Sequence, residues 1–354
     1  MSTYKLQRRG YYLGEVTDQG VESTANPKSA WQSGKPIFLK SHCVHELETH
    51  ARAIKQSQML YQAILDEEEC DQLLAETPYA ERLAGQFESL GSSYNEGDDQ
   101  EIETILFDAV ENNEVIAEDL WLKVSWLSFY EEDASLRFRF SFGVDNLEDV
   151  ADDPQRQHYA SLLTDAVFPE SQLITQNQSL NTLFCEILDC KAINFVERII
   201  YFNSLDGGAY LHHDRERGHA GVVYAQVTGH TYWLALPKLE LMSEISHFVN
   251  QCQQQGRWPD SLLEAQQQEL IELSANRDLL SSELETFSND TLIQLINESK
   301  LFVQQLILRG HGIVVESGDI LLLPQETDLE CCWHSVFNLG EEAGEALSFA
   351  VRSG

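Results

Sequence analysis

Leu211-His212-His213-Asp214 lies near the middle of the chain, and Cys332-Trp333-His334-Ser335-Val336 lies far downstream. A His-x-Asp pair joined to one distant His describes two imidazoles and a carboxylate on one face of an octahedral ion, with the other face open. This set constrains the fold strongly, because residues about 120 positions apart must meet at one point.

The tripeptide alone is weak. With 11 His and 58 acidic residues in 354, chance supplies roughly two His-x-acid matches, so context decides. Residues 192–205 (AINFVERIIYFNSL) are rich in β-branched and aromatic types and read as a strand. Asp206-Gly207-Gly208 reads as a turn, and residues 210–214 begin the next strand. Two apart on a strand, His212 and Asp214 face the same side, as a shared metal requires. His213 faces the other side and reads as a packing residue. The alternative is a solvated loop holding His and Asp by chance.

The segments downstream are short, apolar and separated by Gly-containing turns. Residues 221–237 (GVVYAQVTGHTYWLALP) give two strands around Thr228-Gly229. Residues 313–324 (IVVESGDILLLP) give two more, and 330–339 (ECCWHSVFNL) and 346–351 (ALSFAV) complete the series. This pattern suggests an α+β fold with a double-stranded β-helix core, a jelly-roll of the cupin type, carrying flanking helices.

Several motifs fall in a fixed order. His212-His213-Asp214 precedes Gln226-Val227-Thr228-Gly229 with Trp233 and Pro237. Then come Gly318-Asp319-Ile320-Leu321-Leu322-Leu323-Pro324 and Trp333-His334-Ser335-Val336-Phe337-Asn338. Over about residues 190–354 the chain resembles the Jumonji-C and cupin-like branch of Fe(II)/2-oxoglutarate dioxygenases. The resemblance implies His212, Asp214 and His334 as iron ligands, with Fe(II), 2-oxoglutarate and O2 as cofactor and co-substrates. It implies an oxidoreductase that hydroxylates an amino acid, a peptide or protein side chain, or a small metabolite.

One departure stands out. Much of that family carries a Lys just after the Gly to grip the distal carboxylate of 2-oxoglutarate, whereas this chain has His230 and Thr231. A buried carboxylate needs a cation. Arg352 on the last strand, where other 2-oxoglutarate oxygenases place an Arg, is the expected replacement, since its planar fork suits a carboxylate. A surface arginine is the alternative. Thr231, Tyr201 and Asn203 are expected to add hydrogen bonds to the co-substrate. The missing Lys leaves open a cupin metalloenzyme that uses no 2-oxoglutarate, or a non-catalytic cupin binding module.

No stretch of 18 apolar residues occurs, so no membrane helix is expected. The first twenty residues lack the apolar run of a secretory signal. Seven cysteines without paired CxxC clusters fit reduced thiols and a cytoplasmic setting. Cys331 and Cys332 read as core, although Cys332 could share a face with His334. A net charge of −35 opposes nucleic-acid binding and permits a cationic partner.

Residues 1–118 are expected to form a mostly helical region packed on a jelly-roll domain at 119–354. Helices are expected over 45–75 and 78–90, then a loop over 91–99. His42, His45 and His50 read as surface residues. Residues 120–130 and 135–144 read as a hairpin whose Leu136, Phe138, Phe140 and Phe142 face the core. Helices follow over 152–165 and 177–188. An insertion at about 239–309 carries amphipathic helices over 261–285 and 290–308. It reads as a lid or as a homodimer interface.

Overall fold

The computed structural model describes residues 2–18, 20–94, 100–143, 153–215 and 218–354. The strands among them are β1 (Thr3–Arg8), β2 (Tyr11–Thr17), β3 (Ile37–Leu39), β4 (Phe87–Ser93), β5 (Glu101–Glu111), β6 (Glu114–Trp126), β7 (Leu136–Phe142) and β8 (Ile193–Asn203). After these come β9 (Gly208–His212), β10 (Gly221–Gln226), β11 (His230–Pro237), β12 (Gly312–Glu316), β13 (Ile320–Pro324), β14 (Cys332–Asn338) and β15 (Gly344–Ser353). The result is a mixed chain of helices and large antiparallel sheets.

One sheet has nine strands in the order β3-β13-β10-β15-β8-β7-β6-β5-β4, another has four in the order β12-β11-β14-β9, and β1-β2 form a hairpin. Strands β8 to β15 are shared out between the two larger sheets: β8, β10, β13 and β15 in one, β9, β11, β12 and β14 in the other. Apart from β11 and β12, consecutive segments therefore cross from sheet to sheet, and β9 lies beside β14 despite their separation in sequence.

The side chains show that these two sheets lie face to face. Val222 and Tyr224 of β10 pack with Leu321 and Leu323 of β13, Trp233 and Ala235 of β11, and Cys332 and Val336 of β14. The alternate residues point outward, as the two-residue period of a strand dictates. Val223, Leu322, Leu347 and Phe349 meet a helical layer behind the nine-strand sheet. Tyr232, Leu234, Trp333 and Phe337 meet a second helical layer behind the four-strand sheet.

That second layer is the insertion. It holds five helices rather than two: Lys238–Gln255, Glu264–Ala275, Arg277–Thr286, Asp290–Glu298 and Lys300–Leu308. Asn276 and Ser299 make the extra breaks, because each side chain caps the next helix by accepting from a backbone N–H three residues on. The helices bury their apolar stripes against the outer face of the four-strand sheet, so they support the sheet from behind.

The N-terminal part also differs from expectation. Residues 2–118 contribute β1 to β5, and position 118 falls inside β6. The helix Val44–Leu65 and the short helix Cys70–Leu74 match the amphipathic stretch, with the acidic run between them. Over 78–90 only Tyr79–Leu83 is helical, and β4 takes over from Phe87 by pairing with β5. Tertiary pairing there overrides weak local preference. The expected loop at 91–99 is strand to Ser93, and its remainder from 95 lies outside the described residues. The helices at Pro154–Val167 and Gln178–Leu188 fall where the sequence places them.

β7 pairs with β6 and β8. Its Leu136, Phe138, Phe140 and Phe142 are buried, with Phe138 edge-on to Phe168 and Phe202. Among the described residues no helix is long and apolar enough to cross a membrane.

Two carboxyl groups, of Glu345 and Glu170, are buried and form no ion pair among the described residues. Burial, followed by the charge of Glu170, pushes Glu345 of β15 well above the ordinary carboxylate range, and burial raises Glu170 as well. Ser57 donates to Glu345 at 2.7 Å. A folded-state pKa above the unfolded value means that stability is complete below about pH 4.3 and falls as pH rises toward the folded value. Glu345→Gln cannot ionise and should flatten this loss. Thermal melts should show the variant gaining on wild type by a few degrees between pH 5.5 and pH 8; a gap independent of pH would refute the assignment.

Candidate metal centre

The site is built where β9 meets β14. His334 stands between Cys332 and Val336 on β14, all three on the face turned toward the nine-strand sheet. His212 closes β9 and pairs directly with His334. The next pair in register is Val336 with Ala209, so β9 advances three residues while β14 advances two. This is a β-bulge. It turns both Ala209 and His212 to the inner face, while Leu211 packs in the outer core.

A bulge frees backbone groups that must find other partners. The Ala209 carbonyl accepts from Arg8 and from Ser335 Oγ (3.1 Å). The Leu211 N–H donates to Asn297 Oδ1 at 2.7 Å. Arg8 also donates to Ser335 Oγ (2.6 Å) and to the Asn297 carbonyl (3.0 Å), and its guanidinium lies over Phe337 and Tyr210. Burial pulls its pKa down to about 9. Gly208, at φ +123°, opens the strand where a Cβ would lie 2.2 Å from the Val336 carbonyl oxygen.

β9 ends at His212, so Asp214 lies just beyond the strand rather than on it. The three donors still converge. Asp214 Oδ1 is 3.3 Å from His212 Nε2, and Oδ2 is 3.3 Å from His334 Nε2. Of the described residues, only these three form a candidate metal cluster, with all donor atoms within 4.8 Å of one another. Neighbouring donors about 2.1 Å from an octahedral ion lie about 3 Å apart, close to what is seen.

The protonation pattern agrees. His212 Nδ1 lies 2.6 Å from the Tyr210 carbonyl and His334 Nδ1 3.4 Å from the Cys332 carbonyl. With Nδ1–H as donor, both Nε2 lone pairs face the carboxylate, and a proton or a metal cation has to sit between them. Burial, then the nearness of His212, lowers His334 to about 4, so its imidazole is neutral near pH 7. Burial alone would raise Asp214, but His334 and His212 outweigh it and hold the carboxyl well below its ordinary range. Trp233 stacks on His334 with centroids 5.2 Å apart. His334 is buried, whereas His212 and Asp214 are partly open to a cleft.

That cleft has two lobes of about 180 and 270 Å³ sharing Arg137, Tyr201, His212, Asp214 and Ser348. Tyr201 and Asn203 line it. Burial pushes Tyr201 up to about 12, so its phenol keeps its proton. Thr231 is not among the lining residues: it donates to Gln226 Oε1 (2.8 Å) and accepts from Trp233 Nε1 (3.0 Å). Arg352 does not line the cleft either; it contacts His219 Nε2 at 3.2 Å, beyond the far lobe. The cations that do line it are Arg137 and Arg139, on the inner face of β7. Their signal was present in the sequence, since they alternate with the core phenylalanines.

The remaining candidates fall outside. His213 turns away, lies edge-on to Trp333 and contacts Glu285 of the insertion at 3.2 Å. Cys331 and Cys332 are core residues, and burial raises both thiols. His42 contacts Ser179, and His50 contacts the Glu46 carbonyl. A larger concavity of about 800 Å³ between Ile64 and Trp126 is lined in part by glutamates, and its described residues form no convergent donor set.

No family model matches the chain, and no curated protein matches it. Solved structures do. The E. coli YcfD structure is 13% identical, with 94% of this chain and 54% of that chain covered and a TM-score of 0.31. YcfD, a ribosomal oxygenase, in complex with cobalt and succinic acid is 12% identical, at 94% and 53% coverage and a TM-score of 0.30. An oxidoreductase of the 2OG-Fe(II) oxygenase family from Burkholderia pseudomallei is 8% identical, at 67% and 69% coverage and a TM-score of 0.26. The chain spans about half the length of the YcfD structures. The reading of the site rests on its own geometry.

Removing the support of the bulge should loosen the donor set. Asn297→Ala leaves the Leu211 N–H buried without its acceptor, at a cost of about 1–3 kcal/mol. Calorimetric titration with Co(II) should show affinity falling about 10-fold or more, as for other loss of outer support. Unchanged affinity would mean that the bulge does not set the position of His212.

Proposed function

We propose that this chain is an Fe(II)/2-oxoglutarate-dependent oxygenase, with His212, Asp214 and His334 as the iron ligands. The observation that carries the reading is the convergence of these three donors at the edge of a cleft, between two facing sheets that share strands β8 to β15; this sharing supports a double-stranded β-helix. The donor set suits iron: two imidazole Nε2 atoms and one carboxylate on one side of the ion, and an open side toward the cleft.

Bound Fe(II), 2-oxoglutarate and O2 would supply oxidative decarboxylation coupled to hydroxylation of a substrate C–H bond. The chain's part is to hold and orient. The backbone carbonyls of Tyr210 and Cys332 fix the two imidazoles with Nε2 forward. Trp233, Val336 and Leu323 give the near lobe an apolar wall beside the donors. Tyr201 and Asn203 offer hydrogen bonds along one wall. The far lobe, with the Arg139–Glu197 pair and His219, is polar. It suits an amino acid, a peptide or protein side chain, or a small polar metabolite as substrate. A net charge of −35 favours a cationic partner over nucleic acid.

A second reading, a cupin-type metalloenzyme without 2-oxoglutarate, draws on the absent Lys and on Arg352 lying outside the cleft. Succinate formation separates the two. With Fe(II), ascorbate and O2, the wild-type protein should turn 2-oxoglutarate into succinate slowly even without substrate. His212→Ala and His334→Ala should lower this at least 100-fold. If the metal-loaded protein does not bind 2-oxoglutarate at all, the second reading replaces the first.

A further inference from the structure

Arg137 is half-buried beside the metal cluster, and among the described residues no anion pairs with it. It lies on β7, where Leu136, Phe138 and Phe140 face the helical core and Arg137 and Arg139 face the cleft. In a chain with 23 basic and 58 acidic residues, two arginines beside one metal cluster are not neutralised alike. Arg139 is committed: it contacts Glu197 at 3.2 Å and lies over the Trp121 ring. Arg137 makes one hydrogen bond, to Ser125 Oγ at 3.2 Å. Its Nε is buried without a partner, and among the described residues it makes no ion pair. It borders both lobes, together with His212 and Asp214, and pairs in register with Tyr201.

A guanidinium held in a partly dry site without an anion is costly, and a carboxylate there is a strong bidentate partner. We propose that Arg137 binds the distal carboxylate of a 2-oxo dicarboxylic acid whose keto-acid end sits at the metal. This rests on the oxygenase reading above and assigns the cation that the sequence pattern lacks at His230 and Thr231. The clamp then comes from β7, outside the eight strands that hold the ligands, with the Tyr201 hydroxyl beside it. Arg352, turned to His219, has no part in it.

The test compares 2-oxoglutarate with 2-oxobutyrate, which keeps the keto-acid end but lacks the distal carboxylate. Both are titrated calorimetrically into Mn(II)-loaded protein, so no turnover is needed. Wild type should prefer 2-oxoglutarate. Arg137→Ala should weaken 2-oxoglutarate about 10- to 100-fold, the worth of a charged hydrogen-bonded pair, and leave 2-oxobutyrate unchanged. Arg137→Lys should restore part of the preference and also serves if the alanine variant does not fold. Arg352→Ala should keep the wild-type preference. If Arg137→Ala and Arg137→Lys keep it, or Arg352→Ala abolishes it, Arg137 is not the clamp although the oxygenase reading stands. If wild type binds Mn(II) through His212 but takes up neither acid, the oxygenase reading falls and the clamp falls with it.

Discussion

The pairing of β9 with β14 is the contact on which the candidate site depends. It joins segments about 120 residues apart and places His212 directly across from His334. Regular pairing would carry strict alternation along β9, and Ala209 and His212 would then face opposite sides. The bulge removes that conflict, and the freed backbone groups are taken up by Arg8 from the N-terminal hairpin and Asn297 from the insertion. Two segments remote from the motif thus hold it in shape. Neither touches the donor atoms, yet both meet the strand that presents one of them.

The distribution of charge follows a related logic. A chain so acidic surrounds most cations with carboxylates, and an arginine in the interior is then defined by what it lacks. Arg8 has carbonyls and aromatic faces instead of a carboxylate, and burial lowers its pKa accordingly. Arg198 has Asp165, and Arg139 has Glu197. Arg137 and Arg139 both border the cleft, but among the described residues Arg137 has no carboxylate, and its Nε is buried without a partner.

Much of this was legible in the sequence, because strand periodicity and turn residues are local signals. Residues 192–205, 221–237 and 313–324 read as strands and turns, and Ile193–Asn203, Gly221–Gln226, His230–Pro237, Gly312–Glu316 and Ile320–Pro324 are strands. The spacing and order of His212, Asp214 and His334 point to one place, and the structure brings their donor atoms within 4.8 Å of one another. What failed depended on partners. β4 is a strand because β5 pairs with it, and local propensity at 87–93 does not show that. The bulge is invisible, since nothing in Gly208-Ala209-Tyr210-Leu211 announces an extra residue before the strand opposite is known. Sequence position alone points Thr231 to the co-substrate, whereas its hydroxyl serves Gln226 and Trp233. Arg352 was chosen for lying on the last strand. It lies too far along that strand, since Ser348 and Ala350 reach the cleft and Arg352 meets His219 instead.

Why a clamp can move while the ligands stay is a matter of geometry. Three donors must meet within a few ångströms at fixed angles, so their strands, register and bulge have little freedom. The cation for a distal carboxylate has to satisfy only one end of a flexible molecule, and an arginine reaches far from its backbone. Any strand with an inward face along the cleft can provide it. β7 is available because the nine-strand sheet continues past β8, and its residues alternate between core and cleft with the same period as the strands inside the sandwich. Phe138 and Phe140 secure the strand to the helical layer, and that anchoring holds Arg137 and Arg139 toward the site. Packing and binding are thus two faces of a single seven-residue strand.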